Sequence, residues 1–286
     1  MLHADDLGLS ESVNEATFSA LSRGWVSSAS VMVPCRAFRS AARYARENPE
    51  LDIGVHLTLT SEWPNHRWGP ISSQSEVPSL VDADGFLWSN LNDFERHAEL
   101  PDVEREIHAQ IRRAIDFGIS VSHVDTHMLA LFSNPQLLTL MVNTARQYQL
   151  PCLIPPKRAR QWGKTLAVTE SDFAVDRLLT LLPGSVQRVS NKDHLLGDGA
   201  NWCRLYRELL GNIEDGIAQL IVHLGYDRED IRSITLDEPY WGAEWRVRDL
   251  EVVSSAAFQR ELADRNIVLI QWKDLSGKRA GYRDSG

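Results

Sequence analysis

Asp5-Asp6, His56, Asp125-Thr126-His127 and His223 are the places where this sequence offers groups that can do chemistry. One carboxylate with two imidazoles is a sufficient ligand set for a divalent metal, and it leaves positions open for water and substrate. A second carboxylate and a third imidazole could then move protons, one as base toward an attacking water and one as acid toward a leaving group. Asp5 and His223 are the natural candidates. Each residue also has a plainer explanation when taken alone. A histidine after an apolar strand is most often a hydrogen-bonded structural group. An Asp-Asp pair before Leu7-Gly8-Leu9-Ser10 can be a turn or a helix cap. These explanations weaken when several such residues end strands of one sheet, because burying titratable groups together is costly unless a metal or catalysis uses them.

The flanking sequence predicts strands alternating with helices. Apolar residues at Val13, Ala16, Thr17, Ala20 and Leu21 predict a helix over Ser12–Arg23, ended by Gly24. Ala29–Val33 and the alternating, β-branched Ile53–Leu59 read as strands. Phe38–Glu47 and Val103–Phe117 read as helices, the second with Ile107, Ile111, Ala114 and Ile115 on one face. Ser122–Asp125 is a strand, Pro135–Tyr148 a helix and Leu153-Ile154 a buried strand. Helices are expected over Asp172–Leu182, Trp202–Ile213 and Phe258–Asp264, and strands over Gln219–His223 and Ile267–Ile270. Such alternation implies a mostly parallel sheet with right-handed crossovers, either a barrel or an open doubly wound sheet. In both, sites form at the C-terminal strand ends, where Asp5-Asp6, His56, Asp125, His127 and His223 fall. Neighbours on an extended strand point to opposite sides, so Asp5 and Asp6 can share one rim only if the strand end bends. By the same alternation His3 shares a face with Asp5.

Composition narrows the classes. Among 286 residues, Lys+Arg total 30 and Asp+Glu total 39, a formal charge of −9 that disfavours a nucleic-acid binder. Three scattered cysteines argue against a disulfide framework. No run of about 18 apolar residues predicts a membrane span, and Met1–Asp6 lacks the features of a signal peptide. A cytoplasmic protein with no membrane or nucleic-acid partner is expected, and a homodimer is left open. No linker divides the chain, so one domain over 1–286 is expected, with 61–100 as a long substrate loop.

Ala4-Asp5-Asp6-Leu7-Gly8-Leu9-Ser10, Val13-Asn14, Gly54–Thr60, His123–His127 and Val222–Asp227 together resemble the YdjC-like carbohydrate deacetylases, which include diacetylchitooligosaccharide and hopanoid-associated deacetylases. Asp237–Asp249, with Trp241-Gly242 and Trp245-Arg246, resembles one branch of that family. The resemblance implies an α/β fold, a distorted parallel β/α barrel with a long loop after the third strand. It implies hydrolysis of an N-acetyl group on an amino sugar or short oligosaccharide. It makes Asp6, His56 and His127 the metal ligands, Asp5 the base and His223 the acid that protonates the departing amine. Asp125 would orient His127 or a neighbouring imidazole. The cofactor would be one divalent ion, Mg²⁺ or Zn²⁺, with Co²⁺, Mn²⁺ or Fe²⁺ also admitted by the donor types. Three departures stand out: Leu129 where many relatives carry histidine, Leu224 where proline is usual, and only Met1–Ala4 before the Asp pair, which predicts a short first strand.

Sugar sites use flat aromatic faces and charged donors. Arg67 and Trp68 in the long loop, and Trp241 and Arg246 near the C-terminus, are the candidate sugar contacts; these tryptophans could equally pin their loops to the barrel. The same metal trio would also serve another bond, a non-sugar amide or a phosphoester, although no Arg/Lys cluster marks a phosphate site. A catalytically inactive sugar-binding barrel is the reading from a different class, and such a protein would need neither Asp5 nor His223.

Overall fold

The computed structural model describes residues 1–154, 177–180, 199–213, 215–236, 238 and 240–276. Six parallel strands form one sheet: β1 (Leu2–Leu7), β2 (Ser28–Val31), β3 (Ile53–Leu57), β4 (Val121–Thr126), β5 (Arg177–Thr180) and β6 (Ala218–His223). Their order is β4-β3-β2-β1-β6-β5. This decides between the two architectures. A doubly wound sheet reverses its winding at a switch point, whereas here the order is cyclic, with the first strand seated between the second and the last. A parallel bridge from Val124 to Cys152 continues the cycle beyond β4.

The sheet is also strongly curved. In a flat sheet β1 and β4 would lie three strand spacings apart, about 14 Å. Yet His3 Nε2 on β1 lies 3.0 Å from Asp125 Oδ2 on β4. The residues of β1, β2 and β3 are buried throughout, as expected of parallel strands covered on both sides. The chain is therefore an α/β fold wound as a distorted parallel β/α barrel. Among the described residues, no helix is long and apolar enough to cross a membrane.

Helices cover the outside. Ser10 caps α1 (Glu11–Ser22) by accepting the Val13 N–H. α2 (Phe38–Glu47) follows β2. The segment between β3 and α4 (Leu100–Asp116) is a long excursion, as expected, but it has its own order. It contains α3 (Leu91–His97) and a 3-10 turn at Pro78–Leu80. Val77, Leu80, Leu87 and Phe94 are fully buried there. Then come α5 (Pro135–Gln147), α6 (Gly199–Leu210), α7 (Glu229–Ile234), α8 (Ala243–Ser254), α9 (Ala256–Asp264) and α10 (Trp272–Ser276).

Four local expectations need correction. β1 has six residues and is not short, because Leu2 and His3 pair with Leu220 and Ile221 of β6 and so belong to the ladder. The helix expected over Asp172–Leu182 falls mostly outside the described residues, and its described part is strand β5. Leu153-Ile154 forms no strand; Cys152 bridges Val124, and the Leu153 N–H bonds to Val124. Ile267–Ile270 is irregular. Asn266, at φ 55, turns the chain off the end of α9. Ile267, Leu269 and Ile270 are partly buried against the core and line one cavity with Met1, Leu2 and Leu220, where β1 and β6 already have neighbours on both sides.

Candidate active site

Strand register brings the chemical groups together in pairs. Asp5 on β1 lies opposite His223 on β6, and His56 on β3 lies opposite Asp125 on β4. Asp6 joins them through a bend. Its backbone is left-handed, φ 66, and the β1–β2 register slips between Ala4 and Leu7. Such a conformation costs roughly 1–2 kcal/mol for a residue with a Cβ, although aspartate tolerates it better than most. His127 follows the end of β4 and leads into two further left-handed residues, Met128 and Leu129. Both side chains are exposed. Gly54 has a packing reason: a Cβ there would lie 2.6 Å from the His123 ring.

Asp6, His56 and His127 offer ligand atoms that all lie within 4.8 Å of one another. Asp6 Oδ1 stands 3.5 Å from His56 Nε2 and 3.3 Å from His127 Nδ1, and this buried oxygen accepts no well-directed hydrogen bond. The other oxygen, Oδ2, takes Arg246 Nη2 at 2.6 Å. His56 is oriented from behind, its Nδ1 2.7 Å from Asp125 Oδ1 and 3.1 Å from Ser30 Oγ. Asp5 Oδ2 lies 3.8 Å from His56 Nε2 and 4.0 Å from His223 Nε2. The end of β6 is anchored by Asp249 on α8, which accepts the His223 backbone N–H at 2.9 Å and the Trp202 indole N–H at 2.8 Å.

Burial and charge set the protonation pattern. Burial alone would raise the Asp6 pKa, but the Arg246 charge together with the neighbouring His127 and His56 outweighs it and holds this carboxyl well below its usual range. Burial lowers the pKa values of His3 and His127, yet adjacent carboxylates reverse the sign and bring both to about 9: Asp125 and Asp5 around His3, Glu62 and Asp6 around His127. His56 is raised well above its usual value against burial, chiefly by the charges of Asp125 and Asp5. For His223 burial prevails over Asp6 and Asp5, lowering the pKa to about 4, so this imidazole is neutral at pH 7.

A pH dependence follows for the metal-free protein. An unfolded histidine titrates near 6.5. The stabilisation from His3, His56 and His127 is therefore complete below that pH and is lost as pH rises toward 9 and beyond. The buried Met1 amine, lowered to about 6 by burial, pulls the other way between about pH 6 and 8, but it is one group against three. Thermal unfolding in chelator is expected to show a midpoint that falls from pH 6.5 to 9. A midpoint that climbs across that range would contradict the assignment.

The sequence-expected groups Asp5, Asp6, His56, Asp125, His127 and His223 thus meet at one rim. Asp125 serves His56 and His3, not His127. Three expected sugar contacts are turned inward. Arg246 is 1% exposed and gives its donors to Asp6 and to the Trp241 carbonyl. Arg67 is engaged by Asp82 and the Leu87 carbonyl. Trp68 is buried, donates to the Thr60 carbonyl and sets its ring 6.3 Å from His127. These contacts tie the three side chains to their own and neighbouring segments, while the buried Arg246 Nη1 has no partner. Trp241 remains at the rim, partly exposed, its ring 6.5 Å from that of His223. Glu62, which no sequence pattern marks, also joins the site: its Oε1 lies 2.9 Å from His127 Nε2.

Comparison with known sequences now has a geometry to meet. The family model described as YdjC-like protein matches residues 1–264. The chain belongs to the YdjC-like family. Among its relatives, a carbohydrate deacetylase of Geobacillus stearothermophilus is 29% identical, with 96% of this chain and 97% of the relative covered. A carbohydrate deacetylase of Brevibacillus brevis is 26% identical, covering 96% and 98%. The crystal structure of an Enterococcus faecalis protein, described in its title as a candidate for cellobiose-phosphate cleavage, superposes with a TM-score of 0.78 at 26% identity, covering 96% of this chain and 97% of that one.

Proposed function

We propose that this YdjC-like chain is a metal-dependent hydrolase that removes the N-acetyl group from an amino sugar or short N-acetylated oligosaccharide, giving acetate and a free amine. The observation that carries the reading is the gathering of Asp6, His56 and His127 within ligand distance of one another, with Asp5 and His223 beside them. The relatives named carbohydrate deacetylases support the substrate class.

The donor set fits a divalent ion. It mixes one carboxylate with two imidazoles, and Asp6 Oδ1 is a buried oxygen lacking a hydrogen-bond donor. Loss of one proton each from His56 and His127 would offset the charge of an entering divalent ion, so the buried site need not gain net charge. Mg²⁺ or Zn²⁺ is the leading choice, with Co²⁺, Mn²⁺ and Fe²⁺ as alternatives. Such an ion, when bound, polarises the acyl carbonyl and makes water easier to deprotonate. Asp125 and Ser30 fix the orientation of His56, and Arg246 contributes to keeping Asp6 ionised.

Asp5 takes the proton of the attacking water. His223 delivers a proton to the departing amine. Because His223 rests neutral, the proton it gives must reach it during turnover, and Asp5, 4.0 Å away, is placed to pass it on. Trp241 offers an aromatic face beside His223 on which a sugar ring can stack.

The test is an acetate-release screen over N-acetylated mono-, di- and oligosaccharides, with several added divalent ions and with chelator. Acetate and free amine are expected together, only when metal is present. A protein that neither binds metal nor shows metal-dependent acetate release overturns the proposal.

A further inference from the structure

We infer that His3 is a positioning residue for the hydrolysis, clamping the base Asp5 and the His56-orienting carboxylate Asp125 into one rigid unit; this rests on the reading of the site given above. His3 is fully buried near the start of β1, inside the curved sheet. Its Nδ1 lies 2.7 Å from Ser28 Oγ, which fixes the ring plane. Its Nε2 faces three oxygens: Asp125 Oδ2 at 3.0 Å, Ser30 Oγ at 3.1 Å and Asp5 Oδ1 at 3.3 Å. One N–H cannot donate well to three acceptors; it lies nearest Asp125 Oδ2, and Asp5 Oδ1, a buried oxygen with no well-directed hydrogen bond, is held by its closeness to the same N–H. His123 closes the remaining side, its ring edge-on to His3 at 5.1 Å between centroids.

The arrangement links two functional strands. Asp125 holds His56 through its other oxygen, Oδ1, and Asp5 reaches His56 and His223 through its other oxygen, Oδ2. His3 therefore grips the inner oxygen of each carboxylate and leaves the outer ones to the reacting groups. Strand alternation permits this, since His3 and Asp5 are two residues apart on one face. Without the imidazole, Asp125 Oδ2 and Asp5 Oδ1 would lose the ring that sits between them; His56 would still touch the other oxygen of each carboxylate, at 2.7 Å from Asp125 but only 3.8 Å from Asp5, so Asp5 would be the freer of the two to turn. His56 would keep Asp125 and Ser30, so the metal ligands should be disturbed less than the base.

The experiment compares His3→Leu and His3→Gln with the wild type. Glutamine can place its amide nitrogen near the position of Nε2, whereas leucine keeps only bulk. For His3→Leu, kcat is expected to fall about 10–100-fold, the scale of a lost support or a misplacement of about 1 Å. KM and the calorimetric affinity for Zn²⁺ or Mn²⁺ should change by less than about threefold, because neither the rim nor the ligands have lost a contact. His3→Gln should recover much of kcat. Equal losses in kcat and metal affinity, or no difference between the two variants, would overturn the role. Crystal structures of the variants give an independent readout: the Asp5 carboxylate should keep its place in His3→Gln and leave it in His3→Leu. If the wild type releases no acetate from any amide, the functional reading fails. The position of Asp5 still decides the clamp, and an unmoved Asp5 in His3→Leu refutes it.

Discussion

Asp5→Asn is expected to keep its fold and its metal and to lose turnover by about 10²–10⁴-fold, the range for removal of a general base. The change is nearly isosteric. Asp5 is 8% exposed and sits in the ladder opposite His223, so the amide can occupy the same space. It cannot take up a proton at neutral pH. The loss should therefore appear in kcat, with KM little altered. Metal content should also hold, because the ligand atoms of Asp6, His56 and His127 converge without Asp5. The check is kcat at saturating metal alongside metal stoichiometry on the same preparation. Turnover within a few-fold of wild type would remove Asp5 from the role of base, and loss of the metal would make it a ligand instead.

The strand ends were legible because their chemistry interrupts a regular pattern. His56 interrupts a β-branched run and His223 ends an apolar one, and in a parallel sheet the C-terminal strand ends share one rim. Register then does what sequence cannot, pairing Asp5 with His223 and His56 with Asp125. The bend at Asp6 was foreseen only as a requirement; its left-handed backbone and the slipped register supply it. Glu62 carried no signal, since it lies in an irregular stretch with no hydrophobic period to place it. Arg246 stands among tryptophans in sequence and so read as a sugar contact, but its partner Asp6 is 240 residues away. Ile267–Ile270 has the composition of a strand, but β1 and β6, near which it lies, already have neighbours on both sides. Local pattern thus marks the staves and their chemical ends, whereas the groups that orient those ends come from contacts across the barrel.

Arg246 leads to the largest expected effect on stability. Its guanidinium and the Asp6 carboxylate are 1% and 5% exposed and 2.6 Å apart, so solvent screens the pair little. Breaking a buried pair from one side leaves the other charge uncompensated, at a cost of about 3–5 kcal/mol. His56 and His127 still face Asp6 at 3.5 and 3.3 Å when the guanidinium is gone, so Arg246→Met should destabilise the metal-free protein by about the lower end of that range at pH 7, where Asp6 is ionised. Because the Asp6 pKa is depressed, this contribution is present at neutral pH and is lost only in strongly acid solution. A divalent ion on Asp6 would replace part of the missing positive charge, so saturating metal should raise the stability of the variant more than that of the wild type. Urea unfolding of both proteins, in chelator and in excess metal, measures the four free energies required. A variant within about 0.5 kcal/mol of wild type in chelator, the scatter of a neutral surface substitution, would sink the argument. Equal stabilisation of both proteins by metal would show that Asp6 does not couple Arg246 to the ion. The two remaining contacts of Arg246 predict a further consequence. It donates to the Trp241 carbonyl at 2.8 Å, and it packs where a Cβ on Gly225 would lie 3.1 Å from its own Cβ. Its loss should therefore loosen Trp241 beside His223 and raise KM for a sugar substrate, even when metal is saturating.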